Sequence, residues 1–369
     1  MNANPLMHLG LALALVACST TGKKPMETPK DQLVHRLFSF AQDGRIAYGH
    51  QDDLAYGHNW LVEDWEADTL GRSDVRAVCG RFPAVVGFDL GGIELGADEN
   101  LDGVPFGLIR KAALTHIGRG GIVTFSWHAR NPLTGGDSWD ISSDKAVASV
   151  LEDGENHEKF MMWLDMAANF IASLRDSDGN PVPVIFRPWH ENVGSWFWWG
   201  GNLCTPEQYK RLFGMTVTYF REVKGLDNVL FCYSPNGNCT REEYVGRYPG
   251  DMFVDILGVD TYESVGSSSL EEAAGRYNAE LTAALQMLSA LSEEHGKLIA
   301  LSETGLEGLV DPHWWTEVLY PAIRDYSICY VLTWRNAHDR PTHFYGPWEG
   351  YEGADDFRTF ASMDQIQLL

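Results

Sequence analysis

A chain of 369 residues with 44% apolar content is long enough for one large domain or two small ones. Its formal charge of −23 excludes nucleic acid as a partner and any purely electrostatic docking on anionic lipid, because a polyanion would be repelled along most of the surface. A neutral partner fits better, and 13 Trp, 14 Tyr and 17 Phe supply flat faces on which a sugar ring can stack.

In chain order, the first feature is an apolar run over residues 9–17 that ends in Leu15-Val16-Ala17-Cys18 and resembles a bacterial lipobox. The run is too short to span a bilayer as a helix, so residues 1–18 read as a signal peptide with Cys18 as the lipidated first residue of the mature chain. Residues 19–30 (STTGKKPMETPK) read as a polar tether. The expected location is the bacterial cell envelope, lipid-anchored and facing the periplasm or on the outer membrane. Contact with the membrane is expected through the anchor alone. Five further cysteines have no CxxC spacing, which argues against structural zinc. Cys232 and Cys329 lie in apolar runs as small buried hydrophobes, while the loop residues Cys204 and Cys239 could pair.

From Arg45 onward, short apolar runs alternate with helical stretches. The runs are RIAYGHQ from Arg45, AVVGFDL from Ala84, GIVTFSWH from Gly121, VPVIFRPWHE from Val182, NVLFCYSPN from Asn228, ILGVDTYE from Ile256, LIALSETG from Leu298 and ICYVLTWR from Ile328. Their near-continuous hydrophobicity suits strands buried on both faces of a parallel sheet. Between them, Ser73 caps a short helix ending near Gly80, and residues 158–174 place Phe160, Met161, Leu164, Ala168, Ile171 and Leu174 on one face. Thr205, Pro206 and Gln208 form a capping box with proline at the first helical position, and Gly225 stops that helix. A helix over residues 270–295 ends at Gly296, and Asp311-Pro312 opens another. Eight strand–helix units without a linker after Lys30 predict a single (β/α)8 barrel over residues 31–369. A doubly wound nucleotide-binding sheet would carry a Gly-rich loop after its first strand, which is absent from the sequence.

The C-terminal ends of barrel strands carry the active site in this architecture. They hold His50, Gln51 and Asp52, then Asp89, His128, His190-Glu191, Asn236, Asp260 and Tyr262, Glu303, and Trp334-Arg335. Taken singly, Asp89 and Asn236 read as turn caps. Taken together, polar groups ending apolar strands need a shared polar pocket. Glu191 and Glu303 end the fourth and seventh strands, three steps apart on an eight-membered ring, so their carboxyl groups can face each other. Glycoside hydrolysis needs such a pair, one carboxyl protonated and one ionised. Arg187, His190 and Arg335 are donors able to keep one ionised, and Trp196 is placed to desolvate the other.

The run RPWHENVGSWFWWG over residues 187–200 resembles the acid/base motif of family 26 glycoside hydrolases, whose best-known members are β-mannanases of a retaining barrel clan. The resemblance spans Tyr48 to Arg335, including GHQDDLAYG at the first strand. By position it implies Glu191 as general acid/base beside His190, Trp196 as the following aromatic, and Glu303 of LSETG as nucleophile. It further implies Asp260 and Tyr262 of VDTYE as orienting groups for the nucleophile and the sugar, with His128 of SWH, Trp334 as sugar platform and Arg335 as hydrogen-bonding partner. Trp189 replaces a common aliphatic and is expected to pack behind the strand. The implied substrate is β-1,4-mannan, galactomannan or manno-oligosaccharide, with β-1,3-xylan or mixed-linkage glucan as the alternative, no cofactor, and a monomeric chain. A metallohydrolase using His50, His128, His190, Asp260 and Glu303 usually begins with His-x-His on the first strand, where this chain has His50 alone. A binding lipoprotein without catalysis would not require the opposed glutamates. Two long polar connections, residues 91–106 and 129–139, could meet and close the glycone end, which would favour release of mannobiose from chain ends, or could only line an open cleft.

Overall fold

The computed structural model describes residues 27–369, so Cys18 and most of the expected tether lie outside the described residues. Eight parallel strands form the barrel: β1 Ile46–Gln51, β2 Val85–Asp89, β3 Ile122–Trp127, β4 Val184–Pro188, β5 Val229–Tyr233, β6 Ile256–Glu263, β7 Leu298–Leu306 and β8 Ile328–Thr333. Each pairs in parallel with the next, and β8 closes the ring against β1 through Ala47 opposite Tyr330. Nearly every strand residue is buried, as a sheet covered on both faces requires. The eight expected runs all became strands; those that differ do so by trimming or extension at their ends.

The expected helix signals also hold. Asp74–Cys79 starts at Ser73 and stops at Gly80, whose φ of 79° is left-handed. Pro206–Thr218 opens with the Thr205–Gln208 capping box and continues as a π-helical turn through Val223 before Gly225. The helix Leu270–His295 ends at Gly296.

One expectation is corrected at the N-terminal boundary. A helix already begins at Pro29, with Thr28 as N-cap in a capping box with Asp31. Pro29 and Lys30 are therefore helical rather than tether. The helix Pro29–Gln42 turns Leu33, Leu37 and Phe40 into one cluster with Ala47, Val85, Ile122, Ile185, Leu230, Ile256, Ala300 and Tyr330. These are barrel-lining residues, so the helix closes the end of the barrel opposite the site. A second correction concerns the cysteines. Cys204 and Cys239 do not pair; all five described cysteines are free. The Cys204 thiol is turned inward, toward the Trp199 carbonyl at 3.3 Å and the Arg247 guanidinium at 3.5 Å.

Candidate active site

The end of β4 is forced into an uncommon backbone path. Trp189 and Glu191 have φ of 56° and 53°, a region that costs a non-glycine residue about 1–3 kcal/mol. The surroundings hold the path in place. Trp189 is fully buried behind the strand, as expected, with its indole donating to Thr216 Oγ1 at 3.0 Å and its carbonyl accepting from the Tyr209 hydroxyl at 2.8 Å. The His190 carbonyl accepts from the Trp199 indole at 2.7 Å, and the Glu191 amide donates to the Ser234 carbonyl at 2.7 Å. Asn236 does more than cap a turn, since its Oδ1 accepts from the Gly194 amide at 2.7 Å and so holds the loop after Glu191. The left-handed turn at Glu191 thus re-aims a strand-end side chain into the barrel mouth.

On the opposite side, β6 and β7 contain a bulge. Leu301 pairs with Val259, but the next pair is Glu303 with Asp260, so Ser302 is the extra residue. The bulge sets Asp260 and Glu303 side by side. Oxygens of Glu191, Asp260 and Glu303 then lie within 4.8 Å of one another. Three carboxylates this close need positive charge, and Arg187 supplies it: Nη1 donates to Asp260 at 2.8 Å, and Nη2 donates to Glu303 Oε1. The metallohydrolase reading is poorly served, because a guanidinium already occupies two of these carboxylates and His50 is bonded to Asp53 at 2.8 Å instead. Asp260 also accepts from Ser302 Oγ at 2.7 Å.

The two glutamates stand in opposed environments. Glu303 accepts from Arg187 on one oxygen and from the Tyr262 hydroxyl at 2.5 Å on the other, so both lone-pair faces of its ionised form are met. Glu191 has a single donor, the Trp196 indole at 2.6 Å. Burial of its carboxyl, and then the Glu303 charge, push its pKa up to about 7, although part of the residue stays open to the cleft. Glu191 is therefore arranged to hold a proton near neutral pH, while Glu303 is held in place by two donors.

A histidine pair borders the glutamates. Burial disfavours charge on His128, but Asp89 at 2.7 Å from Nδ1, with Glu303 and Glu191 beyond, raises its pKa. Burial and the neighbouring Arg187 and His128 charges hold His190 well below the usual range. The Nε2 atoms of His128 and His190 share a hydrogen bond across 3.2 Å. Asp89 also accepts from the Gly91 amide at 2.6 Å, so it both caps the turn and orients His128.

Arg335 is corrected in its role as charge support for the glutamates. Its guanidinium meets Asp102 at 3.0 Å and the Tyr56 hydroxyl at 3.2 Å. Asp102 comes from the 91–106 connection, whose Glu94 accepts from the Arg130 amide at 2.8 Å and the Trp127 indole at 3.0 Å. The two long connections therefore meet. Trp139, from the second, lies parallel to His128 with ring centres 5.2 Å apart, and Trp334 stands 6.1 Å from the same imidazole. Asp102 and Trp139 escaped sequence reasoning as individual residues. Their only signal was membership of unusually long polar connections.

An eight-stranded α/β barrel with facing glutamates at the ends of β4 and β7, flanked by aromatic faces, defines a barrel glycoside hydrolase. The model of glycosyl hydrolase family 26 matches residues 31–304, and the chain belongs to that family. A mannan endo-1,4-beta-mannosidase from Bifidobacterium adolescentis is 34% identical over 333 residues, 85% of this chain and 33% of that protein. One from Bacillus subtilis is 31% identical over 191 residues, 50% of this chain and 51% of its own length. The chain thus spans a third to a half of these curated relatives. Among solved structures, a GH26 β-mannanase from Bacteroides ovatus superposes with a TM-score of 0.86 at 46% identity, covering 92% of this chain and 94% of that one. The catalytic domain of a Bacillus sp. JAMB-750 endo-β-1,4-mannanase gives 0.80 at 32%, covering 93% of each.

Proposed function

We propose that this chain is a retaining β-mannanase that hydrolyses β-1,4-mannosidic links by double displacement. The observation that carries the reading is that an oxygen of Glu191 and one of Glu303 lie within 4.8 Å of each other, matching the separation of about 5–5.5 Å in retaining enzymes rather than the about 6.5–9.5 Å by which inverting enzymes admit water beneath the sugar. The relatives named above supply the mannan part. Glu303 attacks the anomeric carbon as the bond to the leaving oxygen breaks, and Glu191 gives that oxygen its proton. Glu191 then takes a proton from water, whose oxygen displaces Glu303 and restores both groups. Tyr262 and Arg187, the latter anchored by Asp260, hold Glu303 ionised and aimed. His128, His190, Trp334 and Arg335 contact the sugar, and Trp196 faces the leaving group.

The finer reading is release of mannobiose from chain ends. It is supported by the Asp102–Arg335 ion pair, which ties the tip of one long connection across the glycone side. One experiment tests both levels. Mannohexaose followed by proton NMR should give a β-anomer first and mannobiose as the dominant early product, with xylan and lichenan left intact. An initial α-anomer would refute double displacement, and an early ladder of lengths would refute chain-end action.

The acid role has a pH signature. Glu191 must be protonated in the free enzyme, so kcat/KM should fall about tenfold per pH unit above about 7. The Trp196 bond lowers this pKa, so Trp196→Phe should move the limb upward. A limb that stays or moves down would break the assignment.

Lipid anchoring through Cys18, on the periplasmic or outer-membrane side, and action as a monomer complete the proposal. Cys18→Ala should release the protein from the membrane fraction of cells, and retention there would remove the anchor.

A further inference from the structure

Beside the glutamates, but off the line between them, a cavity of about 680 Å³ lies at the ends of β6 and β7 against the segment after β8. Tyr262, Glu263, Leu306, Glu307, Val310 and Tyr345 line it. It adjoins the site through Tyr262, whose hydroxyl sits on Glu303. Its size falls in the range of about 300–1,000 Å³ typical of small-molecule sites.

The walls are built rather than accidental. The rings of Tyr262 and Tyr345 stand 5.7 Å apart at 73°, forming an aromatic corner. Tyr345 is seated on Gly305, where a Cβ would come within 2.5 Å of its ring; only glycine admits that approach. At the base, Glu263 is 4% exposed, and one oxygen accepts from the Trp314 indole at 2.8 Å. Its other oxygen is buried with no partner among the described residues. An unmet buried carboxylate oxygen is costly and calls for a donor. At the rim, Glu307 is fixed by His343 at 2.7 Å.

Two carboxylates repel an anion, while aromatic and aliphatic faces suit the C–H faces of a sugar, whose hydroxyls supply donors. Trp196, bonded to the proton donor Glu191, stands on the leaving-group side, and it does not line the cavity. We infer that it binds a hexopyranosyl unit linked to the sugar under attack, an inference that rests on the mannanase reading. That unit has two sources: a side branch on the main chain, or a main-chain unit bent out of the cleft.

The test compares wild type, Val310→Trp and Glu263→Gln on an aryl β-mannoside, which has no second sugar unit, linear mannopentaose and mannopentaose carrying one galactosyl branch. Val310 is 55% exposed, so an indole there is expected to leave the core untouched and fill the mouth of the cavity. Val310→Trp should lower kcat/KM on a longer substrate roughly tenfold relative to the aryl mannoside in the same variant. Glu263→Gln, which keeps the shape and removes the charge, should lower the same ratio roughly threefold to tenfold. Loss confined to the branched substrate identifies a branch site; loss on the linear one identifies a main-chain site. Ratios within twofold of wild type on both substrates in both variants would overturn the inference. Turnover of none of the three by wild type would overturn the mannanase reading itself, and the inference with it.

Discussion

Glu303→Ala is expected to lower kcat by roughly four to six orders of magnitude on every substrate, because no glycosyl-enzyme can form. Glu191→Ala should behave differently. Without a proton donor, hydrolysis of mannan should fall by about 10²–10⁴, yet an activated aryl mannoside, whose leaving group departs as an anion, should still glycosylate Glu303. The second step then becomes limiting, since no base activates water. Azide needs no base, so it should restore turnover of Glu191→Ala with a β-azide product, and any rescue of Glu303→Ala should give the α-azide. The structure supplies the reason for the asymmetry: among the described residues Glu303 accepts from two donors and Glu191 from one. Equal responses of the two variants to azide and to leaving-group acidity would show that the roles are misassigned.

Much of this arrangement was legible in the residues. A parallel strand buried on both faces must be apolar almost throughout, so the polar residue that ends each run marks the barrel mouth. Glu191 and Glu303 emerged as a facing pair from that rule, from strand counting and from the need of glycoside hydrolysis for two carboxyl groups, while their separate roles came from the family resemblance. What escaped depended on three-dimensional detail. The helix Pro29–Gln42 buries only Leu33, Leu37 and Phe40 of its fourteen residues, half of them polar, and its role appears only once a barrel end exists to be closed. The bulge at Ser302 leaves no mark in LSETG, because it is defined by the partner strand. Arg335 looked like support for the glutamates because both end strands at the same face. Its partner, Asp102, lies in a connection whose path nothing local dictates.

Arg187 was visible only as one nearby donor, and its two ion pairs, one to Asp260 and one to Glu303, make it the residue with the largest expected structural effect. Arg187→Met keeps the bulk of the side chain and deletes its charge. Asp260 and Glu303 are each about 3% exposed, so they would then face each other as uncompensated buried carboxylates. Breaking a buried pair in this way costs about 3–5 kcal/mol, or roughly 4–7 °C in Tm for a domain of this size. The sign of the pH dependence follows from burial. Burial already raises the Asp260 pKa in the wild-type fold, and loss of the Arg187 charge that opposes this raises it further, so the added deficit is small below the unfolded carboxylate range and grows as pH rises through it. Melts at pH 4 and pH 7 should therefore diverge more for the variant than for wild type. Activity should suffer separately, since a Glu303 that keeps its proton is a poor nucleophile; a loss of about 10²–10³ in kcat is expected at pH 6. Arg187→Lys retains the charge but not the two-pronged geometry, and should recover most of the stability and less of the activity. A Tm deficit for Arg187→Met that is the same at both pH values would mean that the guanidinium acts through packing, and that charge neutralisation is not what holds β4, β6 and β7 together.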